Sequence, residues 1–555
     1  MYASHLFPGS ETAIFHKTVK SKDLGNIERI VPSGGVLGGG SSINFMMYTR
    51  AQRDDYDAWE TPGWTADELW PYLNKLETYH GPGDPKHHGS DGPIQVSGGT
   101  FRSTRLEDEW LRAAAQVGIP EIVDLQNLDT NNGFQRWLRY ISPEGRRSDT
   151  AHAYLHPRLR DGLHPNLHVL VESSVVRVLF DEDKRACGVE IVPTSRLSVH
   201  SSSAPHPKQT VKARKLVVVS CGACATPSVL ERSGIGAREV LGRAGVPLVE
   251  DLPGVGSNYQ DHHLVQYLYR TSLEPHETCD ALINGRLSVE EAKAQNHPHL
   301  GWNFIDLSSK LRPTEADVAE LGPEFRAMWD REYKDRPNRP LTLLAIASGT
   351  LAPVSDLPPE QYVSAAAYAA YPLSRGHIHI TGPEVDDPVE FELGFFKGDG
   401  AIDIKTQIWT YKKAREIMRR TSIYRGEVTR THPRFPAGSA AAAVEERPSQ
   451  AGGGEGQEAL ADIVYTAEDD KAIEQYLREN VQTTWHSIGT AKMAPRDRLG
   501  VVDANLSVHG VRGLKVVDIS IAPENVGANT NNTALMIGEK AADIIAKELG
   551  LVAAN

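Results

Sequence analysis

A histidine and an asparagine 43 residues apart carry the chemistry this chain offers first. His486 stands in Thr483-Thr484-Trp485-His486-Ser487-Ile488-Gly489-Thr490, and Asn529 in Asn525-Val526-Gly527-Ala528-Asn529-Thr530. An imidazole exchanges a proton near neutral pH, and a carboxamide N–H can donate to a developing negative charge. A single histidine is more often a satisfied core or surface residue, so the pair gains weight only from the elements that position it. The first stretch follows a predicted helix, which Thr466 and Asp469 open in the manner of a capping box and whose apolar face is Ile473, Tyr476 and Leu477. The second is a polar loop between a strand at 514–518 and a helix over about 532–548. In that helix Ile537, Ala541, Ile544 and Ile545 share one face. A loop joining the C-terminal end of a buried strand to a helix is where open α/β sheets bind ligands.

At 555 residues the chain exceeds one simple core, which predicts two domains or one with large insertions. The formal charge of −13 excludes a nucleic-acid partner, which needs a basic surface. Four cysteines are too few for a disulfide framework and fit a reducing compartment. Cys221 and Cys224 form a C-x-x-C without a second pair to complete a zinc site, and they read as small residues at a strand-to-helix turn. The adjacent pairs His87-His88 and His262-His263 lack acidic or cysteine ligands at metal spacing and read as solvated or structural. No apolar run approaches the roughly 20 residues of a membrane span. Neither a secretory signal at Met1-Tyr2-Ala3-Ser4-His5 nor an S-K-L-type tail at Val552-Ala553-Ala554-Asn555 is present. These features predict an intracellular protein, cytoplasmic or peroxisomal.

Residues 1–30 read as polar and irregular. After them, Gly38-Gly39-Gly40-Ser41-Ser42-Ile43-Asn44 combines glycines that let backbone approach a bulky ligand with residues able to cap or donate. Residues 54–80 read as helical, with Trp59, Trp64 and Trp70 in the core, as do residues near 103–117. Strands are predicted at 167–171, 175–179 and 187–192, with an exposed hairpin over 195–210. Lys215-Leu216-Val217-Val218-Val219-Ser220 reads as a buried parallel strand feeding Gly222-Ala223 and a helix near Thr226-Pro227. Further strands are expected near 342–348 and 376–381, and the Ala/Gly/Glu-rich tract 437–456 reads as a disordered surface loop.

Taken in order, these pieces resemble the glucose–methanol–choline (GMC) flavoprotein oxidoreductases, and among them the fungal alcohol (methanol) oxidases. Residues 222–236, from Gly222-Ala223-Cys224-Ala225-Thr226-Pro227 to Ser233-Gly234-Ile235-Gly236, fit the family's second signature at every defined position. Residues 36–50 resemble its first signature. The third piece is Trp485-His486 with residues 525–530, followed by Thr533-Ala534-Leu535. The resemblance runs with gaps from about residue 6 to the C-terminal helix.

The resemblance implies FAD as cofactor, His486 as the active-site histidine and Asn529 as its partner. It places Gly39, Gly40, Ser41 and Asn44 around the pyrophosphate and flavin edge, and Val176 at the adenine. Asp518 would lie near the ribityl–phosphate portion and Thr530 under the flavin pyrimidine. Phe45, Met47 and Trp485 match pocket walls that leave room for a short primary alcohol. The expected fold is mixed α/β (α+β): an FAD/NAD(P)-binding Rossmann-like domain with an interleaved substrate domain of antiparallel sheet and helices. The expected division is 1–262 (incomplete FAD-binding region), 263–370 (part of the substrate domain) and 371–550 (C-terminal region). The family opens with a strand, a G-x-G-x-x-G turn and a helix that hold the ADP half of FAD. None of these stands in the sequence, so the FAD-binding domain is expected to be N-terminally truncated. The expected reaction is oxidation of a short-chain primary alcohol to the aldehyde, with O2 reduced to hydrogen peroxide. A small alcohol and O2 are the expected partners, with no metal, nucleic acid or membrane, and the resemblance extends to a homo-oligomer. Two alternatives stay open: another activity of the family (aryl-alcohol oxidase or flavin dehydrogenase), and an inactive remnant that binds no FAD.

Overall fold

The computed structural model describes residues 9–194, 208–351, 357–446 and 460–551. Most of the expected hairpin over 195–210, and the part of the expected loop from 447 to 456, lie outside the described residues.

The largest element is an antiparallel sheet. Its strands run Tyr424–Glu427, His263–Thr271, Tyr362–Ala369, Thr342–Ala347, Ile305–Lys310 and Gly133–Arg136, in that spatial order. Tyr362–Ala369 is buried on both faces, and its alternating alanines let the helix Asp403–Arg419 approach closely. That helix turns Ile404, Ile408, Tyr411 and Ile417 inward. The short strand Gln482–Thr483 adds to the beginning of His263–Thr271, pairing Thr483 with His263. This register carries the residues before His486 onto the sheet.

A second, smaller assembly holds the residues that the glycine and helix signals pointed to. Val217–Val219 pairs in parallel with Leu514–Val516, as its continuous apolar run predicted. The helices Thr226–Arg232 and Asn531–Glu548 follow these two strands in the chain. The antiparallel strands Ser173–Phe180, Ala186–Pro193 and Gln209–Lys212 complete this side. Two large hydrophobic cores and two small clusters result among the described residues. One lies around the large sheet, with Trp110, Trp137, Trp302 and Leu343, and the other gathers Trp64, Leu69, Val219, Val516 and Ile537.

Several expectations need correction. Residues 167–171 form no strand: the ladder begins at Ser173, leaving the stretch without a strand partner among the described residues and Leu170 66% exposed. The helical signal at 54–80 is two helices, Arg53–Asp57 and Ala66–Lys75, because Pro62 and a left-handed Gly63 (φ +85°) intervene. Residues 1–30 are not irregular throughout, since Ala13–Lys17 pairs with Ile30–Gly34. Part of the 437–456 tract is packed: Ala441 is buried, and its carbonyl accepts from Arg415 Nη1 at 2.7 Å. A positive side chain had to find those carbonyls, and composition does not show that.

Candidate active site

The segment carrying His486 is laced antiparallel to residues 260–264. Ile488 and Gln260 exchange backbone hydrogen bonds, and Thr484 donates from its amide and its hydroxyl to the His262 carbonyl, the hydroxyl at 2.7 Å. Between these ties Trp485 takes the left-handed conformation (φ +61°), uncommon for a bulky residue. The strain is held by Asp261, whose Oδ1 accepts from the His486 amide at 3.0 Å. The Trp485 ring lies stacked on Phe45, centroids 5.9 Å apart and planes 15° apart, and Phe304 meets Phe45 edge-on.

Asn529 arrives on a loop fastened from two sides. Gly527 donates to Asp55 Oδ2 at 2.9 Å, and Asn529 donates its amide to Thr49 Oγ1 at 2.8 Å. A side chain at 527 would strike the Tyr371 hydroxyl, so the bend there needs glycine. The outcome is contact: Asn529 Nδ2 lies 3.1 Å from His486 Nε2. The other ring nitrogen, His486 Nδ1, lies 2.8 Å from His262 Nδ1. Tyr368 donates its hydroxyl to Asn529 Oδ1 at 3.0 Å.

Burial governs the charges here. It pushes the His486 pKa well below that of a free imidazole, and the neighbouring His262 adds to the effect. His262 itself is held down to about 4 by burial, against two backbone carbonyls that raise it. Asp261 moves the opposite way, to about 7, because burial outweighs the hydrogen bonds that favour its anion. At neutral pH the site therefore holds a neutral imidazole beside a carboxamide, an arrangement that accepts a proton and donates to an oxyanion.

The glycine loop leads into Phe45 and so into the same cluster. Gly39 (φ +53°) precedes the short helix Gly40–Ile43, and a Cβ on Gly39 or Gly40 would meet open space. Ser41 fixes the loop by donating to the Gly38 carbonyl at 2.6 Å and accepting from the Thr150 amide at 3.1 Å. Asn44 Oδ1 accepts from the Met46 amide and from Arg147 Nη1, both at 2.9 Å, and turns the chain toward Phe45 and the buried Met47. Asp518 ties the two strand-to-helix loops, Oδ2 accepting from the Gly222 amide at 2.9 Å and from Thr226 Oγ1 at 2.6 Å. Thr530 precedes an 18-residue helix whose first turn carries no side-chain cap and no acidic residue. Val176 stands in a bulge of Ser173–Phe180, its carbonyl accepting from Arg232 Nε at 2.8 Å.

Profiles of the GMC oxidoreductases match residues 12–264 and 372–538, together more than two thirds of the chain. The chain belongs to the GMC oxidoreductase family. Membership makes it an FAD-dependent oxidoreductase that acts on alcohols. Among its relatives, the alcohol oxidase of Candida boidinii is 39% identical over 99% of this chain and 88% of its own length. The alcohol oxidase of Pichia angusta is 37% identical over the same shares. A formate oxidase variant of Aspergillus oryzae superposes with a TM-score of 0.80 at 22% identity, covering 99% of this chain and 91% of that one. That likeness concerns the fold, and the GMC fold of mixed α/β character is the one expected from sequence.

Within the GMC frame, the bare glycines 39 and 40, the uncapped helix start after Thr530 and the neutral imidazole suit a large, anionic, planar cofactor. The structure brings Phe45, Trp485, His486 and Asn529 together, whereas Val176 and Asp518 meet through the helix Thr226–Arg232. Sequence reading missed Asp261, His262, Tyr368 and Thr49. Their one visible signal was an acid–histidine pair in Gln260-Asp261-His262 at the foot of a strand. Both histidines of the 262–263 pair are buried, not solvated.

Proposed function

We propose that this GMC oxidoreductase oxidises a short-chain primary alcohol to its aldehyde and passes the electrons to O2, giving hydrogen peroxide. When bound, FAD supplies the two-electron acceptor for the hydride and the donor to O2. Gly39, Gly40, Ser41, Asn44, Val176, Asp518 and Thr530 would hold it, the positive end of Asn531–Glu548 suiting an anionic part of the cofactor. His486 Nε2 takes the hydroxyl proton, and Asn529 Nδ2 donates to the oxygen as its charge develops. Phe45, Met47 and Trp485 form the apolar wall that limits chain length. The observation that carries this reading is the 3.1 Å contact of Nε2 and Nδ2, which sets a base and a donor close enough to reach one substrate oxygen that comes between them. The high identity with alcohol oxidases over nearly the whole chain supports the choice of donor.

The test is anaerobic bleaching of the flavin-containing 555-residue protein by methanol, ethanol and 1-propanol, followed by peroxide assay on admitting oxygen. His486→Ala should slow bleaching about 10²- to 10⁴-fold, the range of a lost general base. A flavin-loaded protein that none of these alcohols bleaches, or an unchanged rate in His486→Ala, would reject the reading.

A further inference from the structure

We infer that His262 is a positioning residue that fixes which nitrogen of His486 acts as the base. The inference rests on the proposed role of His486, but its geometry stands independently. His262 Nε2 lies 3.0 Å from the Ala370 carbonyl and 3.0 Å from the Val526 carbonyl. Carbonyl oxygens only accept, so this nitrogen carries the proton of His262 and shares it between them. A neutral His262 then has a bare Nδ1, and the 2.8 Å contact between the two Nδ1 atoms requires His486 to be the donor. With its own proton on Nδ1, neutral His486 presents a lone pair at Nε2.

The orientation of Asn529 agrees with this assignment. Asn529 Oδ1 accepts from the Tyr368 hydroxyl at 3.0 Å and from Thr49 Oγ1 at 3.3 Å, which turns Nδ2 toward His486. A donor there needs an acceptor, so His486 Nε2 must be bare. Were the proton on Nε2, two N–H groups would face each other across 3.1 Å, and the two Nδ1 lone pairs across 2.8 Å. Burial keeps both rings neutral, so no extra proton relieves that conflict.

The chain of donors therefore runs from His486 Nδ1–H to His262 Nδ1, and from His262 Nε2–H to two fixed backbone carbonyls. When His486 takes a proton at Nε2, its Nδ1–H already has an acceptor, and no ring flip is needed. His262 orients the base as a carboxylate orients a histidine elsewhere, but it carries no charge. Such a partner sets the tautomer without the rise in basicity that an anion brings.

The imidazole ¹⁵N shifts of His486, assigned by the signals lost in His486→Gln, test the inference without a turnover reaction. In the wild-type protein at about pH 7.5, above the range in which a free imidazole titrates, we expect a protonated Nδ1 and a bare Nε2. His262→Leu, which cannot accept, should convert His486 to a mixture of tautomers or to Nε2–H. It should also lower kcat by about 10- to 100-fold with KM within about twofold. His262→Asn, whose side-chain oxygen can stand near the lost Nδ1, should restore the tautomer and most of kcat. A wild-type His486 with its proton on Nε2, or an unchanged tautomer in His262→Leu, overturns the inference. Should His262→Leu fail to fold, the wild-type spectrum still decides. The spectra are indifferent to the alcohol, so a failure of the proposed reaction leaves them readable. An altered bleaching result with the expected tautomer would reject only the reaction.

Discussion

Replacing Asp261 by asparagine should change how stability depends on pH, with a sign that burial dictates. The Asp261 carboxyl receives the His486 amide on Oδ1 and the Tyr259 hydroxyl on Oδ2, both at 3.0 Å, with 1% of its surface exposed. Burial raises its pKa to about 7, whereas an unfolded aspartate titrates near about 3.9. A carboxyl with a raised folded pKa takes up a proton on folding between those values. Its contribution is fully present below the unfolded pKa and is lost as pH rises through about 7. At pH 5 the group lies two units below its folded value, which at about 1.4 kcal/mol per unit favours the folded state by about 2 to 3 kcal/mol relative to pH 8. In Asp261→Asn the new carboxamide keeps an oxygen for the His486 amide and does not titrate. His262 and His263, held down by burial to about 4 and about 3, run the other way. Each loses about 2 kcal/mol of stability as pH falls from above about 6.5 to about 5, in both proteins alike, so they cancel in the difference. Urea unfolding followed by tryptophan fluorescence at about pH 5, 6, 7 and 8 gives that difference. Wild type should gain about 2 to 3 kcal/mol on Asp261→Asn between pH 8 and pH 5. A difference constant across these pH values, or one of opposite slope, would refute the reasoning.

Phe45→Ala removes the ring stacked on Trp485 and should open the apolar wall. With about 0.8 kcal/mol for each newly buried methylene, the kcat/KM ratio of 1-butanol to ethanol should rise about 10-fold or more, and an unchanged ratio would take Phe45 out of the wall. Arg415→Leu leaves Glu427 buried without its bidentate partner, whose Nε and Nη2 donate at 2.6 and 2.9 Å. The cost should be about 3 to 5 kcal/mol, read as a lowered urea midpoint, with much of it recovered in Arg415→Leu/Glu427→Leu.

What could be read from the sequence was local. Thr466 and Asp469 do form the capping box, the Thr466 amide donating to Asp469 Oδ2 at 2.8 Å. The C-terminal helix spans Asn531–Glu548, one residue from the start that its periodicity predicted. Val217–Val219 pairs in parallel as its valine run suggested, but only Val217 and Val219 are buried, and Val218 faces solvent. Sheet register was not readable, and it determines what touches His486. His262 is 224 residues away from it in sequence, and Tyr368 lies 161 residues before Asn529. Each arrives through pairing of His263–Thr271 with Thr483 and with Tyr362–Ala369. Residues 167–171 failed for a related reason: strand propensity shows what suits a ladder, not whether a partner stands beside it.

The imidazole sits where the two hydrophobic cores meet, and the chain crosses that seam with hardly a residue between. Met47 packs with the sheet-side core and Met46 with the other, and the same division separates Trp485 from Ile488. Neighbouring residues of single short segments thus answer to different interiors. A lineage can therefore redraw the proposed wall of Phe45, Met47 and Trp485 through substitutions in one interior, while the strand before Asp518 and the helix after Thr530 stay anchored in the other. His486 and Asn529, the proposed catalytic pair, are the hinge pin of that independence, since both interiors have to keep them in place.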